Sequence, residues 1–548
     1  MEVEKKEQEK DVITQHLRWL LLVGFALITL IVSWNSDDAY HAYIMAENLV
    51  TGKGFVYNVG YRVTASTCPL YTLITAFQYL LMGKSHMFFA GIISGVIFSS
   101  AAVYVMLFKI CKSKAQIVSS FCCLLFSYCF MTFTTAGLEN SLLFFLSAIF
   151  FHLFFQNEEF DRKNLFLLAL VLGLAALTRM DAVLLFVPAI CFGFLFCSSV
   201  SFGKKVAVGL CGLLPFIGWL IFSLIYYGYL FPNTMYIKLN TGFPEADYIA
   251  RGFDFLYRSF CADPGLLLAP AILIIMSVVS KNAKLIFMSM GCLLYICYVI
   301  YIGGDFMLGR HLTVPYFIAI QGVLYGLNFF ASKEDNKSAN RYPDYVLPVL
   351  AAVGLIFFVF VRPLATKNLY DKTFDSTVTG VSDERSYYIK STGLVNRYLN
   401  SLFGTDVLKE EYYNEVVALS YEWLRSENMA GTIVPYLSGI TNYYVQRDGN
   451  LYLTDPFGLM DPLLSHLPAV RENAWRTGHM QREIPDGYFQ SVETGTNMIV
   501  NESLHEYYDK ILMIVTGDIW NRERFETIIK MNLGEYDYLL EEYLNSRK

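Results

Sequence analysis

The sequence predicts a polytopic α-helical membrane protein, with about eleven transmembrane helices, that carries a C-terminal soluble α/β domain. Three observations lead there. Hydrophobic residues make up 55% of the 548 and aromatic residues 16%, while only 16% are charged, well short of the quarter usual in soluble domains. The apolar residues fall into separate runs of roughly 15–25, the length that crosses a hydrocarbon core about 30 Å thick. After residue 362 no such run occurs, and polar and apolar stretches alternate with many Tyr, Asp, Glu and Asn. Within lipid a helix satisfies its own backbone hydrogen bonds and an open strand does not, so the runs are expected to be helices.

The expected spans are 17–34, 86–110, 115–134, 140–156, 164–178, 181–200, 204–227, 263–280, 284–302, 311–331 and 345–362. The first apolar run, Trp19 to Trp34, follows Lys5, Lys6, Lys10 and Arg18 and lacks a small-residue cleavage signature, which predicts a retained span. Basic residues then orient the bundle. Lys109, Lys112 and Lys114; Arg162 and Lys163; Lys204 and Lys205; Lys281 and Lys284; and Lys333, Lys337 and Arg341 all fall on one set of short loops, expected to be cytoplasmic. The opposite turns, 135–139, 179–180 and 303–310, carry only Arg179 and Arg310. Segment 69–82 is apolar but short. Counting it as a span would invert every later loop, so it is expected to be re-entrant or interfacial.

It follows that the N-terminus is expected inside. The two long loops, 35–68 and 228–262, and everything after about residue 363 are expected outside. The domains expected are 1–362, the membrane catalytic part, and 363–548, the outer soluble part, whose ending from Trp520 to Lys548 is amphipathic and helical. A formal net charge of −6 without a basic concentration excludes nucleic acid as a partner. Most of the eleven cysteines, such as Cys122, Cys123 and Cys292, lie in apolar runs as small hydrophobes, and the tail has none.

Chemistry is expected in the outer loops. Directly after the first span stand Asp37 and Asp38, acids at a membrane surface, where an ionised group is costly and points to function. A carboxylate there can take the proton of an attacking hydroxyl; equally, the pair can cap the helix expected at 38–50. A divalent cation at the pair is chemically reasonable, but two ligands do not define a site, so metal and cofactor remain open. Arg179, Lys238 and Arg310 are positive charges on the outward side, suited to a phosphate, or to lipid headgroups and pairing with Asp181 and Asp305. Glu139 can orient a hydroxyl or favour a helix N-terminus. Asn233 and Tyr227 sit among Tyr226, Tyr229 and Phe231, a composition for stacking on sugars or for an interface belt. His466 and His479, near Asp455 and Asp461, are expected to be structural.

Asp37-Asp38-Ala39-Tyr40, Asn48-Leu49, Gly52, Gly54-Phe55-Val56-Tyr57-Asn58, Gly60, Arg62-Val63 and Pro69-Leu70-Tyr71 together resemble the first outer loop of the GT-C glycosyltransferases that include the actinobacterial cell-wall terminal β-(1→2) arabinofuranosyltransferases. The resemblance continues through Ala136-Gly137-Leu138-Glu139, Thr178-Arg179-Met180-Asp181, Tyr226-Tyr227-Gly228, Pro232-Asn233-Thr234, Lys238, Gly303-Gly304-Asp305-Phe306-Met307 and Gly309-Arg310. In the tail, Asp455-Pro456-Phe457-Gly458-Leu459 with Asp461-Pro462 looks like that family's glycine-leucine-aspartate motif. Departures are Met180, Ala182, Cys68 and His311.

The resemblance implies a GT-C fold and an inverting transfer, from a polyprenyl-phosphate-sugar donor, of a sugar such as arabinofuranose to an extracytoplasmic glycan or other cell-envelope acceptor. Asp37 or Asp38 would be the base, and Arg179, Asp181, Lys238, Asp305, Arg310, Glu139, Tyr227 and Asn233 would bind the donor phosphate or substrate. It also implies a bacterial cytoplasmic membrane, with membrane lipid as a partner. A transporter or flippase of a lipid-linked substrate would show ionisable or helix-breaking residues midway through the spans and a repeat of the helix pattern, and the sequence shows neither; a non-catalytic envelope assembly protein leaves the outer acidic pair and the outward basic residues unexplained.

Overall fold

The computed structural model describes residues 2–157, 159–197, 201–239, 241–333, 345–361, 380–396, 433–434, 439–445, 452–471 and 475–547. The loop positions Lys337 and Arg341, and the expected start of the tail at 363, lie outside these residues. Helices α1 (Glu2–Ile31), α2 (Ala39–Val50), α3 (Pro69–Met82), α4 (Phe88–Val105), α5 (Lys114–Phe126), α6 (Tyr128–Thr132), α7 (Asn140–Gln156), α8 (Arg162–Thr178), α9 (Val183–Phe196), α10 (Phe202–Tyr227), α11 (Asn233–Leu239), α12 (Glu245–Ala262), α13 (Gly265–Ser280), α14 (Ala283–Tyr301), α15 (Thr313–Lys333) and α16 (Val346–Ile356) account for the first part of the chain. Then come α17 (Glu384–Thr392), β1 (Ile433–Val434), α18 (Gly439–Val445), β2 (Tyr452–Leu453), α19 (Tyr488–Thr494), α20 (Glu502–Thr516), α21 (Arg522–Asn532) and α22 (Asp537–Ser546).

The chain is a multi-pass, mostly helical membrane protein. Helical segments occupy the expected spans, but fewer of them cross by length and apolarity alone. Asp11–Ile31, Phe88–Ile110, Phe202–Tyr227, Ala283–Tyr301 and Arg310–Ser332 do so, and α12 with α13 makes a sixth if that pair, bent by 101°, is one span. The helices Pro69–Met82, Lys114–Phe126, Asn140–Gln156, Met180–Phe196 and Val346–Val359 are apolar but shorter. At 1.5 Å per residue, the 14 residues of α3 reach about 21 Å, less than the hydrocarbon thickness.

The chain divides into two compact units that are not sequential. One comprises Met1–Asn35, Phe89–Phe216 and Glu245–Leu399; the other comprises Ser36–Phe88, Ile217–Pro244 and Asn400–Lys548. In the first unit α13 packs on α15, α14 on α9, α16 on α5, and α7 on both α8 and α15. Phe130, Phe144 and Phe317 meet with ring centroids 4.7–5.8 Å apart. Small residues let backbones approach, as elsewhere in membranes. A Cβ at Gly95 would lie 2.5 Å from the Thr134 carbonyl oxygen and 2.7 Å from the Thr135 Cα. Trp34 is fully buried and donates from Nε1 to the Thr132 carbonyl at 2.8 Å, which fixes the end of the first span.

In the second unit α2 packs on α3, while α20 packs on α21 and α22. The core is formed by Leu463, Leu464, Tyr488, Tyr507, Tyr508 and Ile511 with their neighbours. The α/β architecture expected of the tail is not seen in the described residues, where β1 and β2 form one parallel pair of two residues each. The alternating pattern there belongs largely to amphipathic helices whose aromatic faces are buried, and the helical ending from Trp520 onward appears as α21 and α22. Arg524, wholly buried, ties α21 to the end of α10. It donates to the carbonyls of Ile514 and Ile225 at 2.8 Å, Tyr226 at 2.9 Å and Ile519 at 3.2 Å.

Two stability measurements check this packing. Gly95→Val is expected to cost about 1–3 kcal/mol through overpacking, seen as a lower midpoint of thermal unfolding in detergent. Arg524→Met, similar in length but without donors, is expected to cost about 3 kcal/mol or more, because several buried carbonyls lose their partner at once. A midpoint unchanged by the arginine substitution would mean that water replaces those donors.

Candidate functional site

The residues singled out from sequence divide between the two units, with Asp37, Asp38, Tyr227, Asn233 and Lys238 in one and Glu139, Arg179, Asp181, Asp305 and Arg310 in the other. In the unit that begins at Ser36, Asp37 and Asp38 form the turn that starts α2. Asp38 occupies the N-cap position but makes no side-chain capping bond, so the capping expected for helix 38–50 is not what the acids do. Asp37 instead caps a distant segment. Its Oδ2 accepts from the Gly439 amide at 2.8 Å and its Oδ1 from the Ile440 amide at 2.9 Å, across 402 residues of sequence.

His41 follows Asp37 by one helical turn, the spacing that stacks side chains on one face. Ligand atoms of Asp37, Asp38 and His41 all lie within 4.8 Å of one another. The His41 Nδ1 stands 3.3 Å from the Tyr57 hydroxyl, which accepts from the Asn442 Nδ2 at 3.1 Å. Burial raises the Asp37 carboxyl above the usual carboxylate range, against the opposing pull of His41 and the two amides. Burial lowers the His41 ring, against Asp38 and Asp37. Both shifts follow from the cost of charge in a poorly solvated place.

The rest of the first loop is held from several sides. Asn48 donates to the Val56 and Tyr57 carbonyls, both at 3.0 Å. Asn58 pairs with the backbone of Leu453 in both directions, at 3.0 and 2.9 Å. Tyr227 donates to the Phe55 carbonyl at 2.6 Å, and Gly54 needs its φ of +102° in a place where a Cβ would meet the Tyr226 hydroxyl at 2.6 Å. Asn233 receives its place from the Thr64 carbonyl and donates through Nδ2 to the Asp461 carbonyl at 3.1 Å. Tyr227 and Asn233 are thus engaged with backbone. Lys238 passes Gly478, with its Cε 3.6 Å from where a Cβ would stand.

The tail motif is a set of buried turns. Asp455 accepts from the Phe457 and Met460 amides at 3.0 and 2.8 Å; burial nevertheless pushes its carboxyl up to about 7. Asp461 accepts from the Leu463 and Leu464 amides at 2.9 and 2.7 Å and from the hydroxyls of Tyr452 and Tyr488. His466 lies between Tyr229 and Tyr507, 3.4 and 3.0 Å from their hydroxyls, with its ring lowered to about 4 by burial. His479 contacts Phe457 edge-on.

In the other unit, three inter-helix turns meet in a network of buried charge. Glu139 precedes α7, yet its carboxylate does not cap that helix. One oxygen, Oε1, accepts from Arg179 Nη1 at 2.8 Å and from Arg310 Nη2 at 3.0 Å. Arg179 also forms a bidentate pair with Asp181, at 2.9 and 2.8 Å. Arg310 Nη1 faces the Met307 thioether at 3.4 Å, a weak acceptor. His311 stands between Asp305, 3.5 Å from Nε2, and Asp181, 3.9 Å from Nδ1, with the Tyr295 hydroxyl 3.3 Å from Nδ1.

The pairing expected of Arg179 with Asp181 is therefore present, and Glu139 joins both arginines. Burial alone would raise the Glu139 carboxyl; Arg310 and Arg179 overcome it and hold the group at about 2. His41, His311 and Asn442 were not among the expected site residues. His41 carried a signal, its spacing of four from Asp37. Asn442 carried none.

A polytopic helical membrane protein with acids and arginines on its inter-helix turns is the class that fold and sites define. Residues 66–223 match the dolichyl-phosphate-mannose-protein mannosyltransferase family, and over that segment the chain is similar to membrane glycosyltransferases of the GT-C type. The matched segment holds Glu139, Arg179 and Asp181 and ends before Asp305 and Arg310. No curated protein and no solved structure matched.

Glu139→Gln should leave two arginines short of their shared counter-ion and destabilise the protein by about 3 kcal/mol, the scale for breaking a buried pair. The same number follows from linkage. A carboxyl held at about 2, against about 4.3 unfolded, contributes roughly 3 kcal/mol that is complete above about pH 5 and lost as pH falls toward 2. Unfolding followed between pH 7 and 3 should show a steeper loss for the native chain than for Glu139→Gln; parallel curves would contradict the network.

Proposed function

We propose that this protein is a membrane glycosyltransferase that moves a sugar from a polyprenyl-phosphate donor to an extracytoplasmic glycan or other cell-envelope acceptor, with inversion at the anomeric carbon. The similarity of residues 66–223 to a family acting from a lipid-phosphate-linked sugar carries the reading. The outer-loop acids support it. In the proposed step the acceptor hydroxyl oxygen bonds to the anomeric carbon as the bond from that carbon to the phosphate oxygen breaks. The hydroxyl proton passes to a carboxylate, and the lipid phosphate leaves with the electron pair.

Asp38 is the proposed base. Asp37 has both oxygens on backbone amides, which suits it to fixing the turn. Arg310 is the candidate partner of the departing phosphate by resemblance; it pairs with Glu139, and Arg179 is bidentate to Asp181 and bonded to Glu139. Glu139, Arg179, Asp181 and Asp305 would position Arg310. Lys238 is a further phosphate candidate, and Tyr227 and Asn233 would shape the first loop rather than touch sugar. Arabinofuranose remains the proposed sugar by resemblance alone. An inner N-terminus and an outer tail complete the reading on the distribution of lysine and arginine, and a bacterial cytoplasmic membrane on the resemblance alone.

Transfer from a panel of radiolabelled polyprenyl-phosphate sugars in membranes tests this. Asp38→Asn is expected to lower turnover about 10²–10⁴-fold, the usual contribution of a general base, at unchanged protein level. Arg310→Lys should lose activity, because an ammonium lacks the planar fork. Turnover of no donor, or full activity in Asp38→Asn, would sink the assignment.

A further inference from the structure

We propose that Asp37, Asp38 and His41 form a binding site for one divalent transition-metal ion of the Mn²⁺ type, with Tyr57 and Asn442 holding the imidazole in place. The site does not depend on the sugar-transfer reading, since ion binding is measurable without a donor. Two carboxylates and an imidazole within 4.8 Å of one another make a mixed oxygen and nitrogen donor set. Ligands at about 2.1 Å from one ion stand at most about 4.2 Å apart, so shifts of roughly half an ångström close the set. Hard oxygen donors suit Mg²⁺, Ca²⁺ and Mn²⁺, while imidazole disfavours the first two.

The surroundings fit a ligand set. A carboxylate offers about four lone-pair positions, so the two amide bonds to Asp37 leave capacity on each oxygen while fixing their direction. A metal-bound histidine ordinarily uses its other ring nitrogen for an orienting partner. The Tyr57 hydroxyl, 3.3 Å from Nδ1, is placed for that, which assigns Nε2 to the ion. Tyr57 is itself buried and receives Asn442 Nδ2 at 3.1 Å. The Oδ1 of Asn442, in a wholly buried side chain, has no hydrogen-bond partner among the described residues. Buried acceptors are rarely left so, and a water carried by the ion would satisfy it.

The experiment uses the full chain in detergent, stripped with a chelator and titrated with Mn²⁺ while free Mn²⁺ is read by electron paramagnetic resonance. One ion per chain is expected, with ¹⁴N modulation in the pulsed spectrum reporting the imidazole. His41→Gln should weaken binding at least about tenfold, and His86→Gln, at an exposed histidine, should leave it unchanged. No bound Mn²⁺ in the folded chain, bound Mn²⁺ without nitrogen modulation, or equal affinities in the two variants would each overturn the proposal. Should His41→Gln fail to fold, the pulsed spectrum of the native chain decides alone.

Discussion

Buried carboxylates cannot stand alone in a low dielectric, and in this protein meeting that constraint is what holds the loops. Glu139 joins three turns of one unit by accepting from Arg179 and Arg310 through a single oxygen. Asp37 joins the first loop to α18. Asp455 and Asp461 organise the turns of the tail motif around backbone amides and two tyrosine hydroxyls. Helices supply rigid walls, but acids decide which irregular segments meet.

The acids differ in how they are met, and the difference carries chemistry. Glu139 is compensated by full charges and stays ionised, so its role is to fix two guanidinium groups. Asp37 is met by two backbone amides and a histidine, and burial still pushes it up. Arg179 pairs with Asp181 as well as Glu139, and Arg310 pairs with Glu139, so one carboxylate oxygen fixes two guanidinium groups.

Much of the site was legible. Asp37 and Asp38 stood out because ionised groups beside a membrane span are costly, and Arg179 and Arg310 because they break the inward bias of basic residues. The helical segments followed from run length, though five or six among the described residues are long and apolar enough to cross, and the helical ending of the tail followed from its amphipathic pattern. The tail's α/β character is not confirmed among the described residues, and alternation over short stretches fits both a strand and one face of a helix. The division into two units carries no local sequence signal, since 36–88 and 217–244 belong with residues far along the chain.

By itself, then, the sequence determined that the chain is a bundle of membrane helices and that acids and arginines gather on the turns between them. Hydropathy and charge act on each segment against its solvent, so they can be read locally. Only the tertiary structure decided which acid meets which partner. Asp37 takes Gly439 and Ile440, Tyr57 takes Asn442, and Glu139 takes Arg310, 171 residues away. Such choices depend on directional contacts a few ångströms long, between positions whose spacing along the chain carries no periodic signal.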